Sequence, residues 1–182
     1  HRIYTDRDLT LIGPIDETQT IIYPSLTFYM LMPFAVLGKF EPESPAYGTA
    51  FFGVLIVFLI LLLAKKLNKK LVFFVAVLSI VWFPLIESSR WAWNPHLVPF
   101  TSLLAILLYL RKDRISLILS GVFFGLSFHL HYVTFFSFAT FLLLVGTKSL
   151  FEKKLAAPMF IFLGFFLTII PFIYFDLKNP PG

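Results

Sequence analysis

Six apolar runs, Ala46–Ala64, Leu71–Ile86, Leu97–Leu110, Ile115–Leu130, Tyr132–Gly146 and Leu155–Phe175, follow one another with short connections between them. No water-soluble domain of this size can bury so many. Charged residues make up 14% of the 182, against roughly 25% in an ordinary globular domain. In hydrocarbon every backbone polar group must find its partner inside the chain, so such runs fold as helices. The expected fold is therefore all-α: a polytopic transmembrane bundle of about six spanning helices. A straight span needs about 20 residues, within a range of roughly 17 to 25. The first and last runs meet this. The middle four are short, which implies helices that end below the headgroups or border a water-filled cavity.

Charge sets the expected topology. The connections Lys65–Lys70, Arg111–Arg114 and Lys148–Lys154 carry ten of the fifteen Lys+Arg and two of the ten Asp+Glu, a net of +8; everything else carries −3. By the positive-inside rule the basic connections face the cytoplasm. The cluster serves topology and attraction to anionic lipid, and nucleic acid is not an expected partner. The run Ile21–Phe40, broken by Pro24 and Pro33, then begins and ends outside, so it reads as an interfacial helix on the outer face. Residues 1–45 become part of a first extracytoplasmic loop, 46–176 the bundle, and 177–182 the start of a further loop. The expected location is a multi-pass cytoplasmic membrane. A start at His1 without Met and an end on Asn179-Pro180-Pro181-Gly182 suggest a fragment of a longer protein.

That parity brings all four histidines, with Arg90, to one side. The stretch Ile86–Leu97 gathers Glu87, Arg90, Trp91, Trp93, Asn94, Pro95 and His96 between two apolar runs. Asn94-Pro95 stops one helix and starts the next, because Pro is excluded from a helix interior but suits a first turn. Its tryptophans fit headgroup depth, and an ordinary aromatic-belt turn is the plainer reading. Arg90 is a permanently charged fork suited to phosphate or carboxylate; snorkelling beside Glu87 is the alternative. At the second outer hairpin, His129 and His131 stand at i and i+2 beside Tyr132, a spacing that does not share a helix face. Two histidines without a third ligand make a weak metal site, so phosphate or carbonyl recognition is preferred and no metal ligand is assigned. Asp6, Asp8, Asp16 and Glu17 are the loop carboxylates available as general bases, and Asp176 and Lys178 follow the last run. There is no cysteine, hence no disulfide or thiolate site. Gly is scattered, and no nucleotide-binding or hydrolase motif occurs.

Taken in order, Leu11-Ile12-Gly13-Pro14, Tyr23-Pro24-Ser25-Leu26-Thr27-Phe28-Tyr29, Ser89-Arg90-Trp91-Ala92-Trp93-Asn94-Pro95, Gly125–Tyr132 and Pro171–Asp176 with Lys178 resemble the GT-C superfamily of polyprenyl-phosphate-sugar glycosyltransferases. The bacterial branch related to protein O-mannosyltransferases and the lipid A aminoarabinose transferase is the most similar. The resemblance implies a further helix before His1 and a catalytic acidic residue also ahead of it. It implies a lipid-linked sugar donor, membrane lipid as a partner, and an acceptor that is a lipid, glycan or protein. No cofactor is required; a divalent metal is left open. Arg90, Asn94, His96, His129, His131, Tyr132 and Tyr23 become the donor-phosphate and substrate-binding set. Two positions depart from the family, which often has Asp-Pro for Asn94-Pro95 and Lys at Tyr23.

The expected activity is inverting sugar transfer on the extracytoplasmic side, with Arg90 and a histidine from 129 or 131 neutralising the leaving phosphate. A transporter or flippase with an outer-face polar site is the alternative, although the spans lack mid-helix ionisable residues. A subunit that only anchors or assembles is the third. The first reading expects a cavity beneath Ile21–Phe40 lined by Arg90 and at least one of His129 and His131.

Overall fold

The computed structural model describes all residues except 1, 8, 16–21, 154 and 179–182, and at Arg2 and Asp176 the backbone alone. Helix dominates, as the apolar runs require. The described residues form nine helices and one two-stranded ribbon, divided into compact units 1–103 and 104–182. The boundary between the units falls inside a helix rather than at either end of an expected domain.

The first unit opens with a short helix, α1 (Arg2–Thr5), and an antiparallel ribbon of β1 (Ile12–Ile15) and β2 (Ile22–Pro24). The sequence reads this region as an irregular polar loop. Ile12, Ile15 and Ile22 supply the β-branched residues that favour pairing. Gly13 lies against the Tyr23 and Pro24 carbonyls, where no Cβ would fit. Helix α2 (Leu26–Leu37) occupies the middle of the expected interfacial stretch; its 12 residues reach only about 18 Å. It leads through Lys39 and Phe40, both at positive φ, into α3 (Ser44–Leu67). Leu31 and Phe34 of α2 close over Gly48, where an added Cβ would meet them at 2.8 and 2.7 Å.

The chain returns along α3 as α4 (Leu71–Val81) and α5 (Phe83–Ser88). The run Leu71–Ile86 is therefore two helices. Trp82 is extended between them, and Pro84 follows in the first turn of α5. Neither helix has a buried residue. Ser89, just after α5, packs on Gly53, with 2.7 Å between its Cβ and a Cβ built on the glycine. That contact falls in the first half of α3, whereas Lys65 and Lys66 occupy its last turn. Helix α6 (Asn94–Tyr109) then begins at the Asn-Pro step and carries Pro99 inside it.

The second unit takes the last turns of α6 and adds α7 (Arg114–Leu130), α8 (Thr134–Phe151) and α9 (Ala156–Lys178). Helices α7 and α9 run parallel and backbone to backbone. Gly121 meets the Ile161 carbonyl, Gly164 the Ile118 carbonyl, and Gly125 the Thr168 hydroxyl. Small residues four apart permit such an approach in membranes, where close packing replaces the hydrophobic drive. Two of these glycines, Gly121 and Gly125, had read as scattered. Around them Leu117, Phe124, Phe138, Val145 and Phe165 form the core, with Phe138 stacked on Phe165 at 3.8 Å and 6°. The expected loop at 177–182 begins later, since α9 continues to Lys178.

Helix length and composition support three of the six expected spans. Three helices among the described residues are long and apolar enough to cross a membrane: Ser44–Leu67, Thr134–Phe151 and Ala156–Phe175. The other apolar helices, α2, α4, α6 and α7, have 12, 11, 16 and 17 residues. The Trp82–Pro84 break, the Asn94-Pro95 start and the turn at 111–113 leave these helices at or below the lower bound for a straight span. Large apolar side chains such as Phe58, Phe136 and Phe162 stand more than half exposed on the three long helices, the surface expected of a chain solvated by lipid.

Candidate functional site

In the first unit, the stretch between α5 and α6 folds into an aromatic block. Trp91 and Trp93 stack at 5.2 Å with 11° between their planes. The His96 ring stands edge-on to both, at 4.7 and 5.3 Å. The arrangement follows from the Asn94-Pro95 start, which turns the chain so that the His96 N–H reaches the Trp93 carbonyl at 3.1 Å. His96 Nδ1 lies 3.0 Å from the Trp91 carbonyl oxygen. A carbonyl only accepts, so Nδ1 carries the proton, and in the neutral ring Nε2 keeps a lone pair. Both tryptophans are about half exposed, 48% and 49%, so the block presents aromatic surface as well as a proton acceptor. Arg90 precedes it in the turn, exposed, its backbone N–H held by the Glu87 carbonyl at 3.0 Å.

A cavity of about 750 Å³ lies beside α2 in this unit. Thr27, Phe28, Leu31, Met32 and Ala35 of α2 form one wall; Ala92, Trp93 and Asn94 contribute from the aromatic stretch, and Tyr4, Thr10 and Phe40 from elsewhere. Tyr29 ties α2 to the N-terminal segment, its hydroxyl donating to the Thr10 carbonyl at 2.8 Å. Asn94 is buried, at 7% exposure. Arg90 is not among the described lining residues, which departs from the expected cavity: its side chain is carried by the exposed turn. Tyr23, on β2, is half-buried and also outside that lining.

The second unit holds the remaining expected residues at one helix end. His129 Nε2 donates to the Thr168 carbonyl at 2.9 Å, so its ring links α7 to α9. His131 ends α7: its N–H goes to the Ser127 carbonyl at 3.0 Å, and its own carbonyl accepts the Thr134 hydroxyl at 2.8 Å. His131 Nδ1 accepts the Val133 N–H at 3.4 Å. Tyr132 packs on Phe128 and Phe172 at 5.0 and 6.4 Å. The two histidines thus take separate structural posts, as the i, i+2 spacing implies. Arg111, Asp113, Lys148 and Glu152 mark the opposite end of α7 and α8, with Arg111–Asp113 and Lys148–Glu152 pairs at 3.6 and 3.7 Å.

Among the described residues no group of three His, Cys, Asp or Glu side chains is placed to hold a metal ion. Of the carboxylates named as possible bases, Asp6 is exposed in the turn after α1, and Asp8, Asp16 and Glu17 lie outside the described residues. The sequence reading expects a cavity beneath Ile21–Phe40 but not the Phe28, Leu31 and Met32 wall, which no local pattern marks. The Gly121–Gly164 packing escapes it, although the Gly-x-x-x-Gly spacing of 121 and 125 is an available signal. Compared with family models, characterised proteins and solved structures, the chain has no match in any of the three.

Proposed function

We propose that this chain belongs to an integral-membrane glycosyltransferase of the GT-C type, which moves a sugar from a polyprenyl-phosphate donor to an acceptor on the extracytoplasmic side. The observation that carries the reading is the segregation within each unit. Arg90, Trp91, Trp93, Asn94 and His96 lie toward the α2 end of α3, remote from Lys65–Lys70. His129, His131 and Tyr132 lie at the end of α7 remote from Asp113 and Lys148. With basic connections inside, both polar-aromatic groups face outward, where a lipid-linked sugar would enter. In this reading α4 with α5, α6 and α7 cross as well, the bilayer thinning around spans shorter than its core.

Arg90 takes the donor phosphate: its guanidinium is exposed and permanently charged, and it directly precedes the Trp91–Trp93 stack in the chain. The Trp91–Trp93 stack offers a surface for the sugar or the first isoprene units. No described residue is assigned as general base; the resemblance puts that carboxylate ahead of His1. The test is transfer of labelled sugar from a polyprenyl-phosphate donor by the purified full-length protein in nanodiscs. Arg90→Ala is expected to lower kcat/KM by about a hundredfold, the usual loss of one charge-stabilising donor. Transfer undiminished by the substitution removes Arg90 from this role, and no transfer by the intact protein removes the reading.

A further inference from the structure

The cavity beside α2 has a chemistry of its own. Its volume of about 750 Å³ lies within the roughly 300–1,000 Å³ of small-molecule sites. Phe28, Leu31 and Met32 make one wall, and Met conforms to irregular apolar shapes. No charged side chain occurs among the described lining residues. A few uncharged polar groups interrupt the apolar surface, Asn94 and Thr27 among them. The Asn94 side chain is 7% exposed, lines the cavity, and makes no hydrogen bond to another described residue. The amide opens onto the cavity, where it offers both a donor and an acceptor. Thr27 stands in the same lining with its hydroxyl buried and also unpartnered.

We infer that this cavity binds an uncharged lipid: a hydrocarbon chain along Phe28, Leu31 and Met32, ending in a hydroxyl or ester group hydrogen-bonded to the Asn94 amide. The described wall suits an uncharged group better than a phosphate or carboxylate, because a buried anion needs a counter-charge and no described lining side chain carries one. The site is distinct from the exposed Arg90 and does not depend on sugar transfer. A free long-chain alcohol and the ester region of a glycerolipid share this chemistry.

The experiment is photo-crosslinking in nanodiscs with three probes carrying one diazirine-labelled chain: the long-chain alcohol, its phosphate monoester and a diacylglycerol. Adducts of the alcohol or the diacylglycerol are expected on Phe28, Met32 and Ala35, and whichever of the two saturates at lower concentration identifies the source. Removing a methylene should raise the half-saturating concentration about fourfold. Asn94→Leu should raise it about tenfold, the worth of one lost hydrogen bond. Ala35→Trp, which fills the cavity from the α2 wall and leaves residue 94 unchanged, should abolish the adducts and answers the question if Asn94→Leu does not fold. Equal labelling by the phosphate monoester, adducts unchanged in Ala35→Trp, or adducts confined to exposed Phe58 and Phe136 would overturn the inference.

Discussion

Asp113 caps α7 by accepting the Ser116 N–H at 2.9 Å. That hydrogen bond, with help from the Ser116 hydroxyl and nearby Arg111, holds its carboxyl below the ordinary value of 3.8. A carboxylate with a depressed folded pKa stabilises above its unfolded pKa, and the contribution is lost as the pH falls through the folded value. The protection factor of the amides at the start of α7, which divides out intrinsic exchange, is therefore expected to be pH-independent near neutrality and to fall below about pH 4. Asp113→Asn keeps an acceptor and should flatten that dependence. Lys153 offers a second test: its φ of 54° lies in the left-handed region, which costs a side-chain-bearing residue roughly 1–2 kcal/mol. Lys153→Gly is expected to raise unfolding stability in detergent by about 1 kcal/mol. Residue identity made Arg90, His96 and Asn94 visible in the sequence as chemistry. What Trp91 does to His96, or Thr168 to His129, depends on rings and carbonyls brought together by turns and by a neighbouring helix. Spacing alone does not encode those contacts.

Helix pairs are decided by different residues. Gly121 and Gly164 lie against opposing carbonyls, so a methyl at either must push α7 and α9 apart. Gly121→Ala is expected to cost about 1–3 kcal/mol, in the range of overpacked interiors. Gly146, in α8, is the control. Nothing lies within 4 Å of a Cβ built there. Gly146→Ala should be neutral or stabilise by up to about 1 kcal/mol, because Ala is the better helix former. Unfolding in mixed micelles separates the two outcomes. The positions of most helices were legible because apolar runs and basic turns punctuate them. Pro84 was part of the sequence too, yet the Leu71–Ile86 run was read as continuous, and the helix divides at Trp82. The β1–β2 ribbon was missed for another reason: its pairing joins residues about ten apart, and a three- or four-residue strand leaves too short an alternation to read.

At the scale of the whole molecule, three helices among the described residues satisfy the length of a membrane span, and large apolar side chains on them are exposed. The proposed function requires the basic turns to lie on one side of that membrane and the histidine-bearing turns on the other. Because the chain has no cysteine, single cysteines can be introduced without background. Substitutions at Asn68, Lys112 and Lys153 sample the basic turns; those at Trp91 and Val133 sample the other set, all of them exposed. The decisive measurement is labelling of these five variants in intact cells with a membrane-impermeant maleimide, before and after permeabilisation. Trp91→Cys and Val133→Cys are expected to label in intact cells, and the other three only after permeabilisation. Labelling of Trp91→Cys and Lys112→Cys from the same side would contradict the account.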